Sequence, residues 1–143
     1  MKTRILLVDD HDIVRLGLMT LLNDQPDMQV VGEANTAGEG IRMAGQVMPD
    51  VILMDIRLPG EGGIEACQQI TSRFSSCKVV MLTSFADDEL VVRAIRAGAV
   101  GYVLKQVGNE ELLRAIRAAA RGYFTSDPAG QIHCYCKRDF ITS

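Results

Sequence analysis

The strongest constraint on the fold is a set of short apolar runs that do not alternate. "ILLV" at 5–8, "VILM" at 51–54 and "VVML" at 79–82 are each continuous. A strand with one wet face alternates apolar and polar residues, so unbroken runs of this length mark strands covered on both faces, as in a parallel sheet. With "MQVVGEA" at 28–34 and "GYVLK" at 101–105 they make five predicted strands, the others spanning 4–8, 51–55 and 78–82.

Segments of helical period separate them. In 12–24 the stripe is Val14, Leu18, Leu21 and Leu22, with Gly17 on the same face. In 86–97 it is Val91, Ala94 and Ile95, and Gly98 ends the helix. In 108–121 it is Leu112, Leu113, Ile116, Ala119 and Ala120, with Asn109 expected as N-cap and Glu110 and Glu111 in the first turn. Strands alternating with helices imply βαβ units with right-handed crossovers. The expected fold is therefore α/β: a three-layer, doubly wound (βα)5 arrangement around a five-stranded parallel sheet.

The 143 residues suit one domain, and 48% hydrophobic with 23% charged residues suits a soluble one. The net charge is −3 and no basic stripe or arm occurs, so nucleic-acid binding by this chain is not expected. The N-terminal "MKTRILLVDD" has too short an apolar core for a signal peptide, and no run suits a spanning helix. The expected location is cytoplasmic, with no membrane contact. Cys67 and Cys77 have no partner spacing and read as reduced thiols. The tail "HCYC" around Cys134 and Cys136 offers His133 and one C-x-C, short of the usual four ligands for a metal clip.

In doubly wound sheets, ligands sit beyond the carboxyl ends of the strands. There the first strand ends at Asp9 and Asp10, the third at Asp55, the fourth at Thr83 and Ser84, and the fifth at Lys105. Three carboxylates within about 5 Å repel by roughly 3 kcal/mol per pair at an effective dielectric near 20, and a divalent cation relieves this. An all-oxygen ligand set favours a hard ion such as Mg²⁺, which keeps positions open for phosphate oxygens. Lys105 and Thr83 then engage the incoming phosphoryl oxygens, and Asp55 is the nucleophile that forms an acyl phosphate.

Taken singly these residues have blander readings. Asp9 and Asp10 suit a helix cap, although Asp12 is the better placed cap. Thr83, Lys105 and Tyr102 suit a strand-end hydroxyl, a solvated charge and simple packing. Their convergence on one rim favours a site for all but Tyr102, where packing and switching stand level. His11 is read as having no catalytic part. The glycines of "RLPGEGG" lack the pattern of a nucleotide-binding loop.

Together, "VDD", "LMDIRLPGEGG", "MLTSF" and "GAVGYVLK" closely resemble, in order and placement, the CheY-like receiver domain of two-component response regulators over residues 1–122. "VDDHDIVRLGL", "GAVGYVLK" and "LLRAIRAAARG" resemble the NarL/LuxR-type (NarL/FixJ) subfamily, whose receivers precede a helix-turn-helix. The resemblance implies a flavodoxin-like fold and a phosphoacceptor role for Asp55, fed by a sensor histidine kinase or slowly by acetyl phosphate. It implies Mg²⁺ held by Asp10, Asp55 and the backbone carbonyl of Arg57, with Asp9 acting mainly through water. Thr83 and Lys105 would engage the phosphoryl group, and Tyr102 would turn inward as Thr83 moves, since phosphorylation adds roughly −1.5 to −2 charge. Such a protein accepts and loses phosphate but is not a turnover enzyme.

Two departures stand out: Gln106 follows Lys105 where many receivers have proline, and the long cationic Arg57 stands two residues after Asp55. A phosphatase of the aspartyl-phosphate type would need a general acid at position 57, and arginine does not serve. Ile13, Leu16 and Met19, with Ala118 and Arg121, suggest a surface for a homodimer formed on phosphorylation. From Gly122, "GYFTSDPAG" reads as linker, so that 123–143 is linker and atypical tail, the tail being 131–143. No DNA-binding module is expected within these residues, since a recognition helix and its scaffold need tens more. The alternative to a transcriptional receiver is a stand-alone one, acting by protein contact or as a phosphate sink.

Overall fold

The computed structural model describes residues 2–58, 60, 62–84, 88–105, 108–122, 124–127 and 133–135, the last two segments as backbone only. The elements run β1 (Thr3–Val8), α1 (Asp12–Asn23), β2 (Met28–Ala34), α2 (Ala37–Val47), β3 (Val51–Asp55) and α3 (Gly63–Arg73). They continue with β4 (Lys78–Thr83), α4 (Asp88–Arg96), β5 (Gly101–Leu104), α5 (Asn109–Ala120), β6 (Phe124–Asp127) and β7 (His133–Tyr135). One sheet holds all seven strands in the order β2-β1-β3-β4-β5-β6-β7. The five expected strands form its parallel core.

The unbroken apolar runs have a simple cause. Leu6, Val8, Ile52, Met54, Val79 and Met81 face one side, packing with Ala44 of α2, Cys67 and Ile70 of α3 and Ala94 of α4. Their neighbours Ile5, Leu7, Val51, Leu53, Val80 and Leu82 face the other, with Leu22 of α1 and Leu112, Ile116 and Ala119 of α5. Both faces are covered, so positions 5–8, 51–54 and 79–82 are shut off from water. Each large side chain so enclosed contributes about 1.5–3 kcal/mol.

Four expectations need correction. Within the segment read as linker, Phe124–Asp127 forms β6, which pairs in parallel with β5 (Gly101↔Thr125, Tyr102↔Ser126, Val103↔Asp127), and β7 pairs antiparallel to β6. An unpaired β5 edge would leave a row of open N–H and C=O groups, which the "FTS" run satisfies. The N-cap of α5 is Gly108, with no side-chain cap bond, and Asn109 is already helical. The N-cap of α1 is His11, and Asp12 is its first helical residue. Of the suggested dimer surface, Ile13 and Leu16 are 86% and 65% exposed, but Ala118 is buried and Met19 packs on the core. Met19 precedes Leu22 by three residues and shares its inward face; on α5, Ala120 is instead exposed. Gly98 ends α4 as expected, at φ +109°, where a Cβ would collide with Thr71 Oγ1.

A cross-brace joins the turn before β2 to α5. Arg117 Nε donates to Asp27 Oδ2 at 2.9 Å and Nη2 to Oδ1 at 3.1 Å. The bond from Arg117 holds the Asp27 carboxyl below the usual carboxylate range. A lowered pKa adds stability above the ordinary carboxylate range and loses it as pH falls through the folded value. Asp27→Asn is expected to cost about 0.5–1 kcal/mol at pH 7, and the difference from wild type should vanish on acidification, as measured by urea unfolding at stepped pH.

Candidate functional site

The sheet register builds the site. Strand β1 ends one residue before Asp9, whose N–H donates to the Ala34 carbonyl of β2 at 3.1 Å. Asp55 closes β3 opposite Leu82 of β4. The Ile56 N–H donates to the Leu82 carbonyl at 2.9 Å, so the chain turns away only after Asp55 is placed. Thr83 closes β4, and its carbonyl accepts from the Lys105 N–H at 2.7 Å, tying the hydroxyl-bearing residue to the ammonium-bearing one. At the start of α3 a Cβ on Gly63 would collide with the Asp55 carbonyl and lie 2.9 Å from Ile56 Cα. Only glycine lets α3 begin directly beneath Asp55.

Lys105 Nζ lies 3.0 Å from Asp55 Oδ2 and 3.2 Å from Asp9 Oδ2. The first contact is a hydrogen bond. The second is an ion pair without hydrogen-bond alignment, because the buried Asp9 Oδ2 has no hydrogen-bond partner among the described residues. Asp9 and Asp55 are 1% and 4% exposed, whereas the Asp10 side chain is 32% exposed. Burial alone would lower the Lys105 pKa, but the Asp55 hydrogen bond and the charges of Asp55 and Asp9 outweigh it and raise it. Ligand atoms of Asp9, Asp10, His11 and Asp55 all lie within 4.8 Å of one another. Three carboxylates against one ammonium leave −2 on these four side chains, the charge that a divalent cation neutralises. The donor set and the orphaned Asp9 oxygen therefore fit a hard divalent ion.

Of the sequence-predicted residues, Asp9, Asp10, Asp55 and Lys105 are brought together. Thr83 is buried at the same rim. The Arg57 N–H donates to Asp55 Oδ1 at 3.0 Å, while the residue as a whole is exposed. Tyr102 is 2% exposed, opposite Met81 in the sheet. Pro59, Gln106, Val107 and Cys136 lie outside the described residues. Cys67 and Cys77 are buried thiols outside any disulfide, as expected.

Two residues were missed. His11 was given no part, yet its Nδ1 lies 3.0 Å from Asp9 Oδ1, 3.1 Å from Asp10 Oδ1 and 4.0 Å from Asp55 Oδ2. Its N-cap position, φ −100° and ψ 110°, folds the residue back on the acids, aided by its N–H bond to Asp9 Oδ1 at 2.8 Å. Arg15 joins three elements: Nη1 donates to the Asp9 carbonyl at 2.6 Å, Nε to Glu33 at 2.8 Å and Nη2 to Asp12 at 2.7 Å. Its place one helical turn after His11 was the available signal.

Lys105→Met would leave two buried carboxylates facing each other. It is expected to cost about 3 kcal/mol at pH 7 without divalent ions, read by urea unfolding. A raised lysine pKa contributes stability below the ordinary lysine range, lost as pH rises through the higher folded value, so the deficit should shrink in strong alkali.

Comparison with known proteins agrees with this geometry. The family described as "Response regulator receiver domain" matches residues 5–117. The transcriptional regulatory protein LiaR of Bacillus subtilis (strain 168) is 51% identical over 102 residues, 71% of this chain and 48% of LiaR. The DNA-binding transcriptional activator DevR/DosR of Mycobacterium tuberculosis is 43% identical over 109 residues, 76% of this chain and 50% of that protein. The chain thus spans about half the length of the curated relatives it matches. A solved LuxR-family two-component response regulator from Aurantimonas sp. SI85-9A1 superposes with TM-score 0.82 at 40% identity, covering 85% of this chain and 87% of that one. No helix among the described residues is long and apolar enough to cross a membrane. By family match and fold, the chain belongs to the response regulator receiver domains, in the LuxR/NarL-type branch of two-component signalling.

Proposed function

We propose that this receiver accepts a phosphoryl group on Asp55, from the phosphohistidine of a sensor histidine kinase, in a reaction that needs a divalent cation. The observation that carries the reading is the buried Asp55 carboxylate, bonded through Oδ2 to Lys105 and grouped with Asp9 and Asp10. Asp10 and Asp55, with the Arg57 carbonyl, would hold Mg²⁺, and Asp9 would act through water. The ion supplies neutralisation of the phosphoryl oxygens and the carboxylates.

The chain's own residues do the rest. One Asp55 oxygen attacks phosphorus and displaces the donor group, giving an acyl phosphate. Lys105 moves from a carboxylate to a phosphoryl oxygen and keeps its ion pair with Asp9. Thr83, at the end of β4, donates its hydroxyl to another phosphoryl oxygen. Tyr102 repacks as that strand end shifts. The new charge changes the faces of α4 and β5, and hydrolysis of the acyl phosphate ends the signal without turnover chemistry. Control of transcription is the reading supported by LiaR and DevR/DosR, whose names make them regulators of transcription. Dimerisation through α1 is supported by the exposure of Ile13 and Leu16.

The test is incubation with acetyl phosphate and Mg²⁺, followed by mass spectrometry and sedimentation. Wild type should gain one phosphoryl group and a dimer fraction, and Asp55→Asn neither. An unchanged rate of modification in Asp55→Asn would remove Asp55 from its role.

A further inference from the structure

Strand β2 supplies no member of the acid cluster, yet it holds the turn on which the cluster is built. The Asp9 N–H donates to the Ala34 carbonyl at the end of β2, at 3.1 Å. The Asp9 carbonyl accepts from Arg15 Nη1 at 2.6 Å, and Arg15 Nε donates in turn to Glu33 of β2 at 2.8 Å. Both peptide groups that flank the Asp9 side chain are therefore fixed from the same strand. The Arg15 side chain is 13% exposed, and its planar fork of donors reaches both acceptors at once, which the point charge of an ammonium does not.

The three carboxylates differ in what holds them. Asp9 is held through Oδ1 by the His11 N–H and ring, and Asp55 by the Arg57 N–H and Lys105. The Asp10 carboxylate accepts no hydrogen bond among the described residues and meets only the exposed ring of His11, at 3.1 Å. Where it stands is thus decided by the backbone that carries it. The peptide joining Asp9 to Asp10 is the one whose oxygen Arg15 binds.

We propose that Arg15 is a positioning residue of the phosphoacceptor site: by fixing the Asp9–Asp10 peptide it sets the place of the Asp10 carboxylate, and with it the affinity for the divalent cation. This role rests on the proposed function, in which Asp10 and Asp55 hold that cation. The guanidinium is directed at Asp9, Glu33 and Asp12, so it acts through the peptide. Its bond to the exposed Asp12 adds little to the hold. Charge and position pull in opposite directions here. A guanidinium beside the acids repels a divalent cation, so by charge alone its removal tightens binding. By position its removal loosens Asp10 and weakens binding, and the outer partners that orient metal ligands are worth about 10–100-fold in affinity.

The experiment is calorimetric titration of the whole chain with Mg²⁺, joined to the rate of phosphoryl gain from acetyl phosphate read by mass spectrometry. It compares wild type with Arg15→Met, Arg15→Lys and Asp12→Asn. Arg15→Met should bind Mg²⁺ about tenfold or more weakly, and saturating Mg²⁺ should restore its phosphorylation rate to within about threefold of wild type. Arg15→Lys keeps the charge but not the fork and should also lose about tenfold, which preserves the test if the methionine variant fails to fold. Asp12→Asn should stay within about twofold. Mg²⁺ binding in Arg15→Met as tight as in wild type, or tighter, overturns the proposal even where the variant is less stable to urea. So does a rate that remains about tenfold low at saturating Mg²⁺, which would put Arg15 in the transfer step itself. If wild type neither binds Mg²⁺ nor gains phosphate, the proposed function fails and the role of Arg15 with it; if wild type does both and the Arg15 variants match it, only the role of Arg15 fails.

Discussion

The structure depends on keeping two buried carboxylates, Asp9 and Asp55, next to each other and close to a third. At an effective dielectric near 20, each pair within 5 Å costs roughly 3 kcal/mol. Lys105 offsets part of this, since its ammonium lies within 3.2 Å of both buried acids. A net −2 remains on the four side chains. A bound divalent cation would remove that remainder, and this would link the stability of the rim to its chemistry.

The fold serves this constraint by supplying rigidity where the charge is held. Central strands β1, β3 and β4 are enclosed on both faces towards their carboxyl ends, so the ends that carry Asp9, Asp55 and Thr83 are fixed by packing. The turns beyond them are fixed by main-chain bonds and by close approach: Ile56 to Leu82, Lys105 to Thr83, and α3 against the Asp55 carbonyl at Gly63. Arg15 adds a brace from α1 to the Asp9 carbonyl and to Glu33 on β2. None of these contacts touches the carboxylate oxygens of Asp9, Asp10 or Asp55, yet each limits how far the rim can relax to relieve its repulsion.

Much of this was legible in the sequence because the signals were either periodic or placed by topology. Continuous runs at 5–8, 51–54 and 79–82 marked two-sided strands, and the carboxyl-end rule then brought Asp9, Asp10, Asp55 and Lys105 together across 96 residues of chain. What escaped was decided by local or tertiary detail. His11 points back because of an N-cap conformation that no periodicity encodes. Asn109 lost the cap of α5 to Gly108, a shift of one residue within ordinary boundary uncertainty. Met19 and Ala118 turn inward because the buried stripes of α1 and α5 are wider than their most apolar positions mark. The strand at Phe124–Asp127 was hidden among turn-forming residues, and its partners, the edge of β5 and the strand β7, are brought to it by the tertiary fold.

The account is tested most directly by urea unfolding of wild type and Asp10→Asn across a Mg²⁺ series at constant ionic strength. Wild-type unfolding free energy should rise by about 1.4 kcal/mol per tenfold increase in Mg²⁺ beyond its dissociation constant. Asp10→Asn should start higher without the ion, relieved of one repulsive charge, and should respond far less. A wild-type stability that does not change with Mg²⁺ would contradict the claim that the rim is held in repulsion for a divalent cation.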